Sequence, residues 1–283
     1  MKNNKQKTCL VTGANSGLGK EIALGLAQAG AHVIMVCRDL EKGQAALEEI
    51  KTLSGSASID LLIADLSSQA DIRALAKIIY QNYSTLDILI NNAGSVNSKK
   101  ILSIEGIEMT LATNYLGPWL LTNLLCDLLK QNAPARIINI SSAIHKWARI
   151  DLMDLQYQRR KYQFMKAYAQ SKLLMTISSA ELARRLEGSG VTVNCVHPGA
   201  VKTGLGSASA HNFALKLIDK MIKFFFIRPK QAAKPVLDLA LAPQWENSSG
   251  QYFEKGRPVK AARMTYDPIR AKQVWASTEK MLH

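Results

Sequence analysis

Tyr168 and Lys172 stand four residues apart in Tyr168-Ala-Gln-Ser-Lys172. On a helix that spacing puts both side chains on one face, a turn apart. A free phenol titrates near roughly pH 10 and moves protons poorly at neutral pH. A fixed ammonium nearby favours the phenolate and lowers that pKa. The pair is a candidate general acid/base unit. The same spacing arises often by chance, so its weight depends on what stands upstream.

Upstream is Thr12-Gly-Ala-Asn-Ser-Gly17-Leu-Gly19. It follows the apolar run Cys9-Leu10-Val11, which reads as a buried strand, and precedes 20–29, whose apolar spacing is helical. Glycines there permit a tight strand-to-helix turn and let a ligand approach bare backbone. The helix N-terminus then offers unpaired N–H groups and a positive dipole end to a pyrophosphate. A plain glycine-rich loop is the alternative; the flanking strand and helix favour a dinucleotide.

Apolar strand-like runs at about 7–12, 31–37, 58–63, 87–91, 135–141 and 191–196 alternate with helical patterns at about 17–29, 40–53, 68–82, 110–131 and 166–187. This alternation implies a parallel sheet covered on both faces. The expected fold is α/β: a Rossmann-type doubly wound parallel sheet in three α/β/α layers, one domain over 1–283. Its ligand crevice lies at the strands' carboxyl ends. Gly13, Arg38, Asp65, Asn92, Ser142 and Pro198 each follow one of the six strands, so all converge there. The helix near 110–131 is apolar almost all round and must be buried, in the core or against a second subunit. A last strand at 251–253 and a short helix near 268–281 complete the pattern.

The 283 residues are 47% hydrophobic, enough for a sizeable core. The N-terminus runs into the first strand with no apolar segment of signal type, and no stretch reaches the roughly 18 apolar residues of a spanning helix. Cys9, Cys37, Cys126 and Cys195 form no C-x-x-C pair and read as buried free thiols in a reducing compartment. A cytoplasmic location is expected. The formal charge of +14 is spread along the chain, and its densest cluster, Arg159-Arg-Lys161 with Lys166, reads as a solvated loop. No nucleic-acid partner is expected. His145 and His197 have no partners at ligand spacing, so no metal is expected.

Together, Thr12-Gly13-x-x-x-Gly17-x-Gly19, Asn91-Asn-Ala-Gly94, Asn114, Ser141-Ser142, Tyr168-x-x-x-Lys172 and Pro198-Gly199 resemble the motif set of the classical short-chain dehydrogenase/reductase family over about 7–205. Cys37-Arg-Asp-Leu-Glu-Lys-Gly43, 135–145, Val196-His-Pro-Gly-Ala-Val201 and Ser249-Gly-Gln-Tyr-Phe253 resemble its retinol dehydrogenase-like branch. The resemblance implies a nicotinamide cofactor that carries hydride while the protein handles the proton. It assigns Tyr168 as acid/base, Lys172 to the Tyr168 pKa and the nicotinamide ribose, Ser142 rather than Ser141 to the substrate oxygen, and Asn114 to a water in a proton path. Either Ser could instead cap the strand end, and Asn114 could be a helix N-cap.

At the cofactor the resemblance places Gly13, Asn15, Ser16, Gly17, Leu18 and Gly19 by the phosphates. Asp65 meets the adenine amino group with Leu66 beside it, and Asn92, Ala93 and Gly94 line the adenine side. Pro198, Gly199, Val201 and Thr203 lie toward the nicotinamide, Thr203 at its carboxamide. The family's NAD-type acid falls at Cys37, which cannot bind a ribose hydroxyl that way. Arg38 follows and can fork onto a 2′-phosphate; Asp39 could pair with it. NADP(H) is expected ahead of NAD(H). His145 is expected to touch substrate and His197 to shape the pocket. By the family pattern 200–229 is a substrate lid carrying Phe213, Leu217 and Met221; as a basic amphipathic helix it could also rest on anionic membrane. The family also makes a homodimer compatible with this chain.

The expected function is an NADP-dependent oxidoreductase interconverting a carbonyl and an alcohol on a small apolar substrate. The alternative is a non-catalytic dinucleotide sensor or scaffold on the same fold, which would have no need of the proton-handling set. A basic membrane-surface or nucleic-acid binder would need a clustered basic face, which the sequence lacks.

Overall fold

The computed structural model describes residues 6–199 and 227–282. Eight strands form one sheet: Thr8–Thr12 (β1), His32–Cys37 (β2), Ile59–Ile63 (β3), Ile88–Asn91 (β4), Ala135–Ile140 (β5), Val191–His197 (β6), Tyr252–Glu254 (β7) and Arg257–Val259 (β8). Their order is β3-β2-β1-β4-β5-β6-β7-β8. All neighbours are parallel except β7 and β8, a hairpin closing one edge. The chain reverses its direction of travel between β1 and β4, which opens a crevice at their carboxyl ends.

Every residue of β1, β4 and β5 is buried, as expected of strands covered on both faces. Side chains alternate between two cores. Leu10 points into one with Leu89 and Ile137, beneath Gln69–Asn82 (α3), Gly117–Gln131 (α5), Phe164–Arg185 (α6) and Pro268–Leu282, which we label α8. Cys9 and Val11 point into the other, beneath Gly17–Gln28 (α1), Leu40–Ser54 (α2) and Pro229–Leu241, labelled α7. This is the expected three-layer, doubly wound sheet.

Three features depart from the sequence reading. The helix expected over 110–131 is interrupted: Met109–Leu111 (α4) passes into a π-helical turn, Ala112–Leu116, before α5. Pro118 has no N–H to give the Asn114 carbonyl four residues back. The Gly117 amide instead reaches Ala112, five residues back. The apolar face of this stretch is covered by the chain itself, with Trp119 against Trp275 of α8 at 4.8 Å. Helix α7 has no counterpart in the sequence pattern, because Pro229 and Pro235 interrupt its periodicity; yet Ala232, Ala233, Val236, Leu239 and Ala240 are buried at helical spacing. Strand β8 is too short to show a period of two. Among the described residues no helix is long and apolar enough to cross a membrane.

Residues 200–226 lie outside the described residues. Val201, Thr203, Phe213, Leu217, Met221 and nearly all of the expected 200–229 lid fall there; at its end, Pro229 begins α7.

Candidate active site

The turn from β1 to α1 is built to hold backbone close to backbone. Gly13 has φ +66°, and a Cβ there would lie 2.9 Å from Ala93 Cα. A Cβ on Gly19 would run into the Gly13 carbonyl and the Asn92 amide. Thr12 Oγ1 accepts from the Asn92 and Ala93 amides, both at 3.0 Å. Asn92 Nδ2 donates to the Thr12 carbonyl at 2.8 Å. Asn92 thus braces the turn with its side chain, a role the sequence reading missed. The turn opens onto the N-terminus of α1, where Ser16 makes no side-chain cap and the first turn carries no acid. Uncapped amides beside an unfilled glycine cradle suit a pyrophosphate. Asn15 and Leu18 belong to the same turn, Leu18 buried beneath it.

At the end of β2, Arg38 is exposed (72%) and its guanidinium lies 4.0 Å from Asp65 Oδ2. Asp39 does not hold it, contrary to the pairing considered from sequence. Asp39 caps α2 through the Lys42 amide at 3.0 Å and pairs with Lys42 Nζ at 3.1 Å. Its helix-capping bonds hold its carboxyl below the usual range. Asp65 spends Oδ1 on the Ser67 amide and hydroxyl, both 2.8 Å, with Leu66 buried beside it. A cation facing out over the sheet edge suits a phosphate on the adenosine ribose.

The candidate proton-handling residues meet where β5 ends. Ser141 turns inward to Thr176 Oγ1 at 3.0 Å. Ser142, extended at φ −149°, leaves the strand facing the crevice and starts a 3₁₀ turn at Ala143–Trp147. Burial raises the Tyr168 pKa, and the Ser142 hydroxyl, close to the phenol, opposes the rise. Lys172, one turn on, is buried at 4% exposure and donates to the Ile140 carbonyl at 2.8 Å. Burial lowers its pKa to about 8. Its ammonium lies 5.7 Å from the Tyr168 ring centre. Desolvation of the phenol sets the direction of the Tyr168 shift, where the sequence reading expects a lowering by Lys172.

Asn114 lies inside the π turn and caps no helix. Its Oδ1 accepts from the Ser95 amide at 2.7 Å, and its Nδ2 donates to the Ser95 carbonyl at 2.9 Å and to Ser171 Oγ at 3.3 Å. Gly94 packs between Asn114 and Lys172; a Cβ there would lie 3.3 Å from Asn114 Oδ1 and 3.8 Å from Lys172 Nζ. Gly94 therefore borders the proton-handling residues rather than only the adenine side. Pro198 and Gly199 follow β6 at the same edge.

His145 departs from its expected contact with substrate. It is fully buried and both ring nitrogens are engaged, with Ser142 O at 2.7 Å and the Ala262 amide at 3.0 Å. His197 ends β6 beside Glu254 of β7. Burial lowers its pKa, and its Nδ1 has no partner among the described residues. The sequence reading also missed a buried polar ladder: Asn91 Nδ2 donates to Asn139 Oδ1 at 2.8 Å, and Asn139 Nδ2 donates to Ser179 Oγ at 2.7 Å. It ties β4 and β5 to α6. Asparagines inside otherwise apolar strands were the available signal.

Comparison with known proteins extends this geometry. The family model for short chain dehydrogenase matches residues 7–213. Retinol dehydrogenase 13 of Mus musculus is 40% identical over 279 residues, covering 98% of this chain and 84% of that protein. Retinol dehydrogenase 11 of Homo sapiens is 39% identical, covering 95% and 83%. A crystal structure of an uncharacterised protein from Mycobacterium Paratuberculosis superposes with TM-score 0.78 at 31% identity, covering 98% and 93%. The RhlG/NADP active-site complex of Pseudomonas aeruginosa gives 0.70 at 28%, covering 88% and 95%. With these likenesses spanning nearly its whole length, the chain belongs to the short-chain dehydrogenase/reductase family, in the retinol dehydrogenase-like branch, and is an oxidoreductase acting on CH–OH groups.

Proposed function

We propose that the protein is an NADP(H)-dependent enzyme interconverting a carbonyl and an alcohol on a small apolar substrate, with Tyr168 as general acid/base. The observation that carries this reading is the Tyr168–Ser142 hydroxyl pair at the end of β5, with Lys172 packed beneath it and the Gly13–Gly19 cradle on the same sheet edge. When bound, the cofactor supplies or accepts hydride. Tyr168 holds its proton at the hydroxyl and gives it to the substrate oxygen during reduction, or takes one from the alcohol during oxidation. Ser142 donates to the same oxygen and stabilises its developing charge. Lys172 holds a cation under the phenol and reaches the nicotinamide ribose, while Asn114 orients a water in the path that refills Tyr168.

Arg38 supports NADP(H), with NAD(H) the weaker cofactor. The RhlG neighbour is a complex with NADP. Relatives named for retinol support an apolar substrate of that kind. Val201 and Thr203 are assigned to the nicotinamide side, and Phe213, Leu217 and Met221 to the apolar wall, by the family pattern alone. We infer a reducing compartment such as the cytoplasm from four buried, unbridged thiols. Titration of NADPH and NADH, followed by absorbance assays on a panel of apolar aldehydes, ketones and retinal, tests the reading. Tighter NADPH and turnover of apolar carbonyls are expected; tighter NADH, or no turnover with either cofactor, would refute it.

A further inference from the structure

His145 is a fully buried imidazole three residues past Ser142. The Ala262 amide donates to Nε2 at 3.0 Å. A ring nitrogen that accepts carries no proton, so the neutral ring must hold its proton on Nδ1. Nδ1 lies 2.7 Å from the Ser142 carbonyl and donates to it. The His145 main-chain amide donates to that same oxygen at 3.1 Å. The ring is held from its face by Tyr252, 4.6 Å away on β7. Burial lowers the His145 pKa, as does Lys146, so the ring stays neutral at neutral pH.

Ser142 needs this support. It stands one residue beyond Ser141 at the strand end, and its own side chain has only a long 3.5 Å contact from the Ile144 amide to fix it locally. Its Cα, from which the hydroxyl branches, is carried by its peptide plane, and that plane is clamped through the carbonyl. Small displacements of a reacting group cost large factors in rate.

We propose that His145 is a positioning residue: its Nδ1–H bond to the Ser142 carbonyl, with the tautomer locked by the Ala262 amide, aims the Ser142 hydroxyl at the substrate oxygen. The C-terminal segment around Ala262 is thereby part of the active site without touching substrate. This rests on the reading of Ser142 given above.

Paired substitutions in the full chain test it. His145→Asn keeps an amide N–H near the Nδ1 position and loses the Ala262 bond. His145→Gln keeps an acceptor near Nε2 and loses the bond to Ser142. His145→Ala removes both ring bonds at once. The readouts are kcat, KM for the carbonyl, NADPH affinity and Tm. His145→Asn should keep kcat within roughly threefold, while His145→Gln should lose roughly 10- to 100-fold in kcat at unchanged NADPH affinity. His145→Ala should lose kcat by at least as large a factor. A purely structural role predicts loss of Tm in all three His145 variants with wild-type kcat in the folded fraction. Folded His145→Gln or His145→Ala turning over like wild type would overturn the proposal; should His145→Gln fail to fold, the folded fraction of His145→Ala decides. Ser142→Ala separates the two readings, since an active Ser142→Ala enzyme would refute the role of Ser142 itself.

Discussion

Tyr168 sits in a site that favours its protonated form, because burial outweighs other influences on the phenol. Such a group is ready to donate in the reductive direction. Replacing Tyr168 with Phe removes only the hydroxyl, so kcat should fall by roughly 10²–10⁴, the range for general acid/base catalysis, while NADPH affinity stays close to wild type. Titration and steady-state rates on the folded variant check this. Lys172 permits a second test, through pH. Its folded pKa is about 8 against an ordinary 10.5. Between those values the unfolded chain binds the extra proton, so this group makes wild-type stability rise with pH. The cost of the buried charge is complete below about pH 8 and gone above 10.5. Lys172→Met lacks that dependence, so its stability relative to wild type should fall by about 3 kcal/mol across the window. Urea unfolding of both proteins at several pH values measures it; a constant difference would contradict a depressed Lys172. Arg38→Ala should weaken NADPH binding by about 1.5–3 kcal/mol, the range for a charged hydrogen bond, and barely alter NADH. At this scale the sequence revealed residue identity well and environment poorly. Tyr168, Ser142 and Asn114 were named from spacing and resemblance, but the partners of Asp39 and His145 are set by contacts that no spacing encodes. The Ala262 amide that engages His145 is 117 residues away in the chain.

The elements that hold these residues were legible wherever periodicity was long and unbroken. Helices α1, α2, α3 and α6 fall within two residues of their expected limits. The misses have a common cause, since proline disrupts the pattern that reveals a helix. Pro118 hides the π turn that carries Asn114, and Pro229 and Pro235 hide α7. Helix α8 was expected, but not its task. Trp275 packs on Trp119 of α5, and the Arg185 guanidinium of α6 lies 4.1 Å over the Trp275 ring. Tyr115, next to Asn114, reaches Thr278 of α8 at 2.5 Å and Ser178 of α6 at 2.7 Å. Helix α8 thus backs the π turn from behind. Trp275→Ala should cost about 3–5 kcal/mol, as for a large buried aromatic, and calorimetry should show the drop. The covered face also bears on assembly. A homodimer through α5 and α6 would have to displace α8, so we expect wild-type protein to sediment without such an interface.

On the scale of the whole molecule, the strand order places six loop ends on one edge, and the glycine cradle proposed for the cofactor shares it with the proposed proton-handling group. That convergence could be expected from alternating strands and helices, because right-handed crossovers leave few other arrangements. Of the edge hairpin, β7 matches the strand expected at 251–253, while β8 could not be expected, since a three-residue strand carries too little pattern. Hydride delivery across this edge, paired with a proton from Tyr168, is the central claim. It is tested most directly by reducing an apolar aldehyde with NADPH carrying deuterium at both C4 positions and reading where the label goes, in wild type and in Tyr168→Phe. We predict deuterium on the carbinol carbon of the wild-type product and near-complete loss of product in a variant that still binds NADPH. Unlabelled alcohol, or labelled alcohol formed by Tyr168→Phe at the wild-type rate, would contradict it.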